Sequence, residues 1–572
     1  MNKASKDLAN WCESTIETIK PADISQNLVE QIALFHQSIV QQELLVPVVG
    51  SFSAGKSTLL NKILGEAILP AAITPETSLA MELRYSTEQR IEAVKEDGSA
   101  IRFDVCDIKK VAEDAAKYSH ARLYLDNIRI KEFEPLVLVD MPGFDSPLDA
   151  HNKAIMAYID RGSHYIVLAS VQEGTVSKSL LRRIREIREL GRDLSFFLTK
   201  ADLKPQSEID DLIEHFTESL RDNCDYLGEV IPVSHDSPGG VVNLLKTINA
   251  DEIFFGLYRP ALQGLSNDLI DAINIKISAL KKDNASFVAA VEELAGALKK
   301  MQTKSEDEIE SLSRRYSGGG VVNEILSDVG KALESALNEL IKIAKGGDTS
   351  STERYLLDIV RSELNISVNK RLGEVNKEIV SDLSDSLKSL DKIMRDLEVN
   401  SDFTNKLATV IGAQLQTLSI GMGVGKIGTV VAPKFFGAGA KIAGVSLASI
   451  VNPLLSIALA FLPEILGWLI GDDKEAQKEE KLRSAFLGQA FPQIKSKLRA
   501  ELQKLVTESV REMIEQVRAQ YETQISQKKD EFEAAMKKNE ANVSEKDEAV
   551  ARLQNVRETV KLASNELLLS YN

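Results

Sequence analysis

Gly50-Ser51-Phe52-Ser53-Ala54-Gly55-Lys56-Ser57 sets two glycines ahead of a lysine and a hydroxyl, at the spacing of a phosphate-cradling loop. Glycines let backbone N–H groups turn inward around a β-phosphate at a helix N-terminus. The lysine then neutralises β- and γ-oxygens, and the serine hydroxyl ligates Mg²⁺. Gly50, Ser53, Ala54, Gly55, Lys56, Ser57 and Thr58 are therefore candidate nucleotide-binding residues.

Three later segments complete this chemistry. In Asp140-Met141-Pro142-Gly143, the aspartate suits holding Mg²⁺ through water and the Gly143 amide suits contact with a γ-phosphate. In Thr199-Lys200-Ala201-Asp202, the Asp202 carboxylate can accept both N–H donors of guanine, a pair that adenine lacks, while Lys200 lies along the ring. Ser234 ends the run Val230-Ile231-Pro232-Val233, where a backbone amide could meet the guanine O6. Between the Gly50–Ser57 loop and Asp140, Thr74 and Thr77 both stand where a threonine hydroxyl could reach Mg²⁺ and its carbonyl the attacking water; Thr77 is favoured. Lys56, Thr77, Asp140 and Gly143 are the expected catalytic set, with Ser57, Thr77 and Asp140 about the metal.

These residues need a scaffold that delivers them to one edge. Short β-branched runs at 45–49, 136–139, 165–168, 194–198 and 230–233 alternate with helical stretches, including 58–64, as in a parallel α/β sheet. Before them, Leu28, Ile32, Phe35 and Ile39 recur at helical spacing, after a break at Pro21. Beyond Pro260 helical periodicity takes over. One apolar stripe runs from Leu372 through Val375, Ile379, Leu383, Leu387, Leu390 and Ile393 to Leu397, and another from Leu502 through Val506, Val510, Met513 and Val517 to Tyr521. The second, carried as one helix from Pro492 to about residue 540, would extend roughly 70 Å.

Residues 407–471 stand apart: their charged side chains are Lys426, Lys434, Lys441 and Glu464, and the 22 residues 442–463 carry none. That run has the length to span a bilayer, but Asn452-Pro453 interrupts it, so a helical hairpin that enters one leaflet is expected. Leu454, Leu459, Phe461 and Trp468 are its candidate lipid contacts. The competing reading is a hairpin buried in the helical body. The charged run 530–548 reads as a solvated helical face or a hairpin turn.

Composition narrows the function classes. A chain of 572 residues supports several domains, and its net charge of −16 argues against general affinity for nucleic acid or anionic surfaces. Cys12, Cys106 and Cys224 lack metal-ligand spacing, as do His36, His120, His151, His164, His215 and His235. The opening residues show no secretory leader, which sets a cytoplasmic expectation.

The segment FSAGKSTLLNKILG with ILP, TPETS, DMPG and TKAD resembles the dynamin superfamily, above all bacterial dynamin-like GTPases, over about residues 44–240. The resemblance implies an α/β P-loop GTPase domain at 44–256, N-terminal neck helices at 1–43, an elongated all-α neck and trunk at 257–405, an apolar membrane tip at 406–472 and returning helices at 473–572. It implies GTP or GDP with Mg²⁺, GTP hydrolysis coupled to membrane binding and remodelling, head-to-head dimers in the GTP state, a hetero-partner of the same kind, and reversible membrane association. Where dynamins place a water-positioning glutamine, this chain has Phe52, so slow turnover by the isolated protein is expected. Two alternatives remain: a switch that recruits proteins with the apolar insert as core, and a pore-forming or structural membrane protein that the P-loop domain regulates.

Overall fold

The computed structural model describes residues 2–51, 53–70, 79–95, 97–143, 158, 161–189, 192–234, 238–281, 284–303, 306–317, 319–346, 349–385, 387–396, 475–537 and 543–571. Phe52, Thr74, Thr77, His151, His235 and the whole of 407–471, with Leu454, Leu459, Phe461 and Trp468, lie outside these residues.

Among the described residues nine strands form one sheet: β1 (Leu44–Gly50), β2 (Met81–Tyr85), β3 (Arg90–Val94), β4 (Ala100–Phe103), β5 (His120–Leu125), β6 (Leu136–Asp140), β7 (His164–Ser170), β8 (Asp193–Thr199) and β9 (Val230–Val233). Their order is β4-β3-β5-β2-β6-β1-β7-β8-β9. The five strands anticipated from apolar runs are β1, β6, β7, β8 and β9, and they are mutually parallel. The expectation of a parallel sheet holds for these five strands, and the remaining four depart from it. β2 is antiparallel to β6, and β3 is antiparallel to both β4 and β5. These wing strands carry charges, as in Met81-Glu82-Leu83-Arg84-Tyr85, so no continuous apolar run marks them.

Two cores cover the sheet. One joins its first face to the N-terminal helices, the helix Lys56–Leu64, the helix Ala250–Lys281 and the last helix, Val543–Ser570. The other packs the helices Lys178–Glu189 and Gln206–Cys224 on the opposite face. The chain's two ends are tied together here. Trp11 Nε1 donates to Ser564 Oγ at 3.1 Å, Tyr571 OH donates to Asp7 Oδ2 at 2.7 Å, and the Tyr571 ring stacks on Phe255 at 4.6 Å. The predicted stripe Leu28, Ile32, Phe35 and Ile39 is buried in this layer.

A third core is wholly helical. Both predicted stripes line it, from Leu372 to Leu390 and from Leu502 to Tyr521. The helix Phe491–Lys537 is continuous over 47 residues, about 70 Å at 1.5 Å per residue. The other stripe is broken, because one helix ends at Asp385 and the next begins at Ser389. Within the charged run 530–548, Glu531 is not solvated. It lies buried 3.4 Å from the Lys528 ammonium, which also has Asp268 at 3.7 Å and Asp271 at 3.9 Å. Burial pushes the Glu531 carboxyl up to about 7, against the opposing pull of Lys528.

The sheet domain meets the helical body through charge. Arg182 and Arg183, on the helix Lys178–Glu189, reach the two carboxylate oxygens of Asp358 at 2.7 Å each, and Arg361 donates to the same carboxylate at 2.8 Å. Arg183 is almost fully buried and sends its other arm to Glu186 at 2.6 Å. Asp358→Ala would leave three guanidiniums facing one another with that carboxylate gone. The expected loss is on the order of 3 kcal/mol in urea unfolding. A loss below about 0.5 kcal/mol, typical of an exposed pair, would show that the contact does not hold the two parts together.

Candidate nucleotide-binding site

Every candidate residue that the structure describes stands at or just beyond the carboxyl end of a parallel strand. β1 lies between β6 and β7, where the chain's path across the sheet reverses, and open α/β sheets form ligand crevices at such points. The register aligns Val48 with Asp140 on one side and Gly50 with Leu168 on the other.

The loop after β1 is shaped by its glycines. A Cβ at Gly50 would lie 2.3 Å from the Leu168 carbonyl oxygen, so only glycine lets β1 end this close to β7. Gly55 has φ +83°, a left-handed conformation, and caps the helix Lys56–Leu64, two residues longer at its start than the sequence suggests. The Lys56 side chain is buried. Its ammonium donates to the Ser51 carbonyl at 2.8 Å and the Gly50 carbonyl at 3.3 Å, which points it back over the loop. Ala54 N–H also donates to the Ser51 carbonyl at 3.2 Å.

Asp140 is fully buried at the end of β6 and accepts from Ser57 Oγ at 2.7 Å through Oδ2. Burial raises its carboxyl to about 6, while the Ser57 hydroxyl and Lys56 ammonium pull the other way. Its second oxygen, Oδ1, is buried without a hydrogen-bond partner among the described residues. A hydroxyl beside a buried carboxylate with a spare oxygen is a donor set that fits a hydrated Mg²⁺, which suits the residues assigned to it. Among the described residues no cluster of three His, Cys, Asp or Glu could hold a metal by itself, and this kind of site does not need one because phosphate oxygens supply the remaining ligands. Met141, Pro142 and Gly143 follow, all buried.

The loop after β8 is locked to the loop after β1. Thr199 Oγ1 donates to the Ala54 carbonyl at 2.8 Å and lies 3.1 Å from the Ala169 carbonyl. Lys200 has φ +60°, a left-handed conformation uncommon outside glycine, and opens a short 3₁₀ turn, Ala201–Leu203, that carries Asp202. Ser234 follows Val233, the register partner of Thr199. The loops that carry Lys56, Ser57, Asp140, Lys200, Asp202 and Ser234 thus gather at one edge of the sheet.

The sequence reading assigned no role to several residues that shape this edge. Asn61 accepts from the Ile68 and Leu69 N–H groups at 3.0 and 2.8 Å and donates to the Leu69 carbonyl at 2.8 Å, fixing the start of the segment that leads towards Thr74 and Thr77. Glu173 accepts from Ser51 Oγ, and Gln172 Oε1 accepts from Lys200 Nζ at 2.9 Å. A signal was legible for Glu173, since Ser170-x-x-Glu173 directly after an apolar run is a capping-box pattern, and the structure forms that box.

Glu82, on β2 opposite Val139, is wholly buried. It accepts from Tyr158 OH and Arg84 Nη2 at 2.6 Å each, with Arg161 at 3.4 Å, Arg122 at 3.5 Å and His120 at 3.6 Å. Burial alone would raise its carboxyl, but the surrounding His120, Arg84, Arg161 and Tyr158 hold it at about 2. Burial also depresses His120 to about 4, so at neutral pH the arginines carry the compensation. Glu82 thereby joins the strand after 71–78 to Tyr158 and Arg161, which follow the DMPG segment in the chain.

Because the Glu82 pKa is lowered on folding, its stabilisation is present above the ordinary carboxylate value and is lost as pH falls from about 4.5 towards 2. Glu82→Gln should unfold at lower urea than the parent at pH 7, and the gap should narrow across that interval. A gap independent of pH would contradict the assignment.

Residues 46–201 match the model of the dynamin family. A Caldicellulosiruptor protein known as the uncharacterized protein in the xynA 3′ region is 25% identical over 205 residues, covering 35% of this chain and 50% of its own length. Dynamin-like protein 2 of Campylobacter jejuni is 27% identical over 192 residues, covering 33% of this chain and 30% of its own. The matches therefore span half of the first relative and under a third of the second. Among solved structures, the LeoA bacterial dynamin GTPase from ETEC aligns over 98% of both chains at 13% identity with a TM-score of 0.32.

Proposed function

We propose that this chain, whose residues 46–201 match the dynamin-family model, binds and hydrolyses GTP and couples the cycle to membrane binding and remodelling. The observation that carries the nucleotide part is the Ser57 hydroxyl on the buried Asp140 carboxylate at 2.7 Å, beside a lysine already turned over the phosphate loop. The base assignment rests on Asp202, whose loop is fastened to the phosphate loop by Thr199.

In this reading Lys56 exchanges its loop carbonyls for the β- and γ-oxygens, and the loop amides around Ser53, Ala54 and Gly55 receive the β-phosphate with Ser57 and Thr58 at the helix start. Ser57 and Asp140 would hold Mg²⁺, which supplies charge neutralisation at the same oxygens. The Gly143 amide faces the γ-phosphate, Thr77 directs the attacking water, Asp202 and Lys200 hold guanine, and Ser234 lies by O6. With Phe52 in place of a polar water-positioning side chain, a facing copy of the domain would complete the site, as in the head-to-head dimer that the resemblance implies.

The membrane part rests on residues 407–471, whose low charge contrasts with the helices on both sides. Among the described residues no helix is long and apolar enough to cross a membrane. A hairpin tip that enters one leaflet, on a chain held reversibly at a membrane from the cytoplasm, fits that composition. A hetero-partner of the same family is a natural companion.

Leu454→Glu and Leu459→Glu should each abolish liposome co-sedimentation and leave GTP affinity unchanged, because each buried charge costs several kcal/mol in lipid and the nucleotide site is elsewhere. Turnover per molecule should rise with protein concentration or on liposomes. Normal liposome binding by both variants, with easier unfolding, would make the insert part of the helical core and favour the protein-recruiting switch.

A further inference from the structure

Two loops of the nucleotide site are fastened to one short turn. After β7 the chain makes a single 3₁₀ turn, Val171–Glu173. The Glu173 carboxylate accepts from the phosphate-loop hydroxyl of Ser51 and from the Ser170 N–H at 3.3 Å, while Gln172 accepts from Lys200 of the base-side loop. Ser51 is the centre of the phosphate loop's own bonding, since its carbonyl receives both Lys56 Nζ and the Ala54 N–H. Whatever orients Ser51 therefore orients the ammonium that meets the phosphates.

Capping the turn needs only an acceptor at position 173, which glutamine also supplies. An unpaired carboxylate so near a loop built for phosphate would oppose the ligand's charge. Both facts are reconciled if the carboxylate is engaged by Ser51 and serves to hold the loop. We propose that Glu173 is a positioning residue of the nucleotide site: through Ser51 it presets the phosphate loop and Lys56, while its neighbour Gln172 presets Lys200. The two loops are then ordered before the nucleotide arrives, and binding does not bear that ordering cost. This inference rests on the reading of the site as a guanine-nucleotide site.

The test is titration of a fluorescent GDP analogue into the full chain and its Glu173→Ala, Glu173→Gln, Ser51→Ala and Glu173→Ala/Ser51→Ala variants, with melting temperature recorded for each. The expected result is an affinity loss of about tenfold in both alanine variants, no further loss in the double variant, and recovery of most of the affinity with glutamine. Unchanged affinity in Glu173→Ala, or losses that add in the double variant, would overturn the role. Should Glu173→Ala fail to fold, the glutamine variant and Ser51→Ala decide it: parent-like affinity in Ser51→Ala removes the Ser51 link. Failure of the parent chain to bind the analogue would instead sink the nucleotide reading itself.

Discussion

A carboxylate buried at the end of a central strand is costly unless its surroundings compensate it, and Asp140 imposes that requirement on the whole domain. Its compensation comes from Ser57 and Lys56, both delivered by the turn after β1. That turn can form only because Gly50 lets β1 pass close to the Leu168 carbonyl and Gly55 takes a left-handed conformation. The neighbouring strands follow from this. β7 must lie beside β1 to make the close approach, and β8 beside β7 to bring Thr199 to the Ala54 carbonyl.

The same economy of charge recurs away from the site. Glu82 is tolerated in the sheet because arginines from β2, β5 and the segment after DMPG converge on it. Asp358 is the single carboxylate on which two arginines of the sheet domain and one of the helical body meet. The helix that carries Arg182 and Arg183 begins five residues after the turn held by Ser51 and Lys200. Polar contacts join the phosphate loop to the turn and the helix to the trunk, and four residues of chain join the turn to the helix.

Much of this was legible in the residues. Parallel strands buried on both faces read as apolar runs, which is why β1, β6, β7, β8 and β9 stand out and each candidate nucleotide residue could be placed beyond one of them. The wing strands were not legible, because Glu82, Arg84, Arg90, Glu92 and Arg122 interrupt their hydrophobicity, and their ion pairs, within a strand for Arg84–Glu82 and Arg90–Glu92 and across strands for Arg122–Glu82, form only once the sheet is assembled. Helical stripes identified trunk core residues from Leu372 to Leu390 and from Leu502 to Tyr521, while Leu397 lies outside the described residues. Periodicity says nothing about where a helix stops, so the break after Asp385 escaped it. The burial of Glu531, in the run read as solvated, escaped it for the same reason: a charge looks exposed until the chain around it is in place, here Lys528 with Asp268 and Asp271 of the helix beside it.

The central claim is that these loops make a guanine-nucleotide site, and competition between GTP and ATP for the full chain in Mg²⁺ tests it most directly. In the proposed site the Asp202 carboxylate would distinguish the bases by charge-assisted contacts worth on the order of 1.5–3 kcal/mol each, so GTP should displace a bound guanine analogue at concentrations at least tenfold below those at which ATP does. Equal displacement by the two nucleotides would contradict the account.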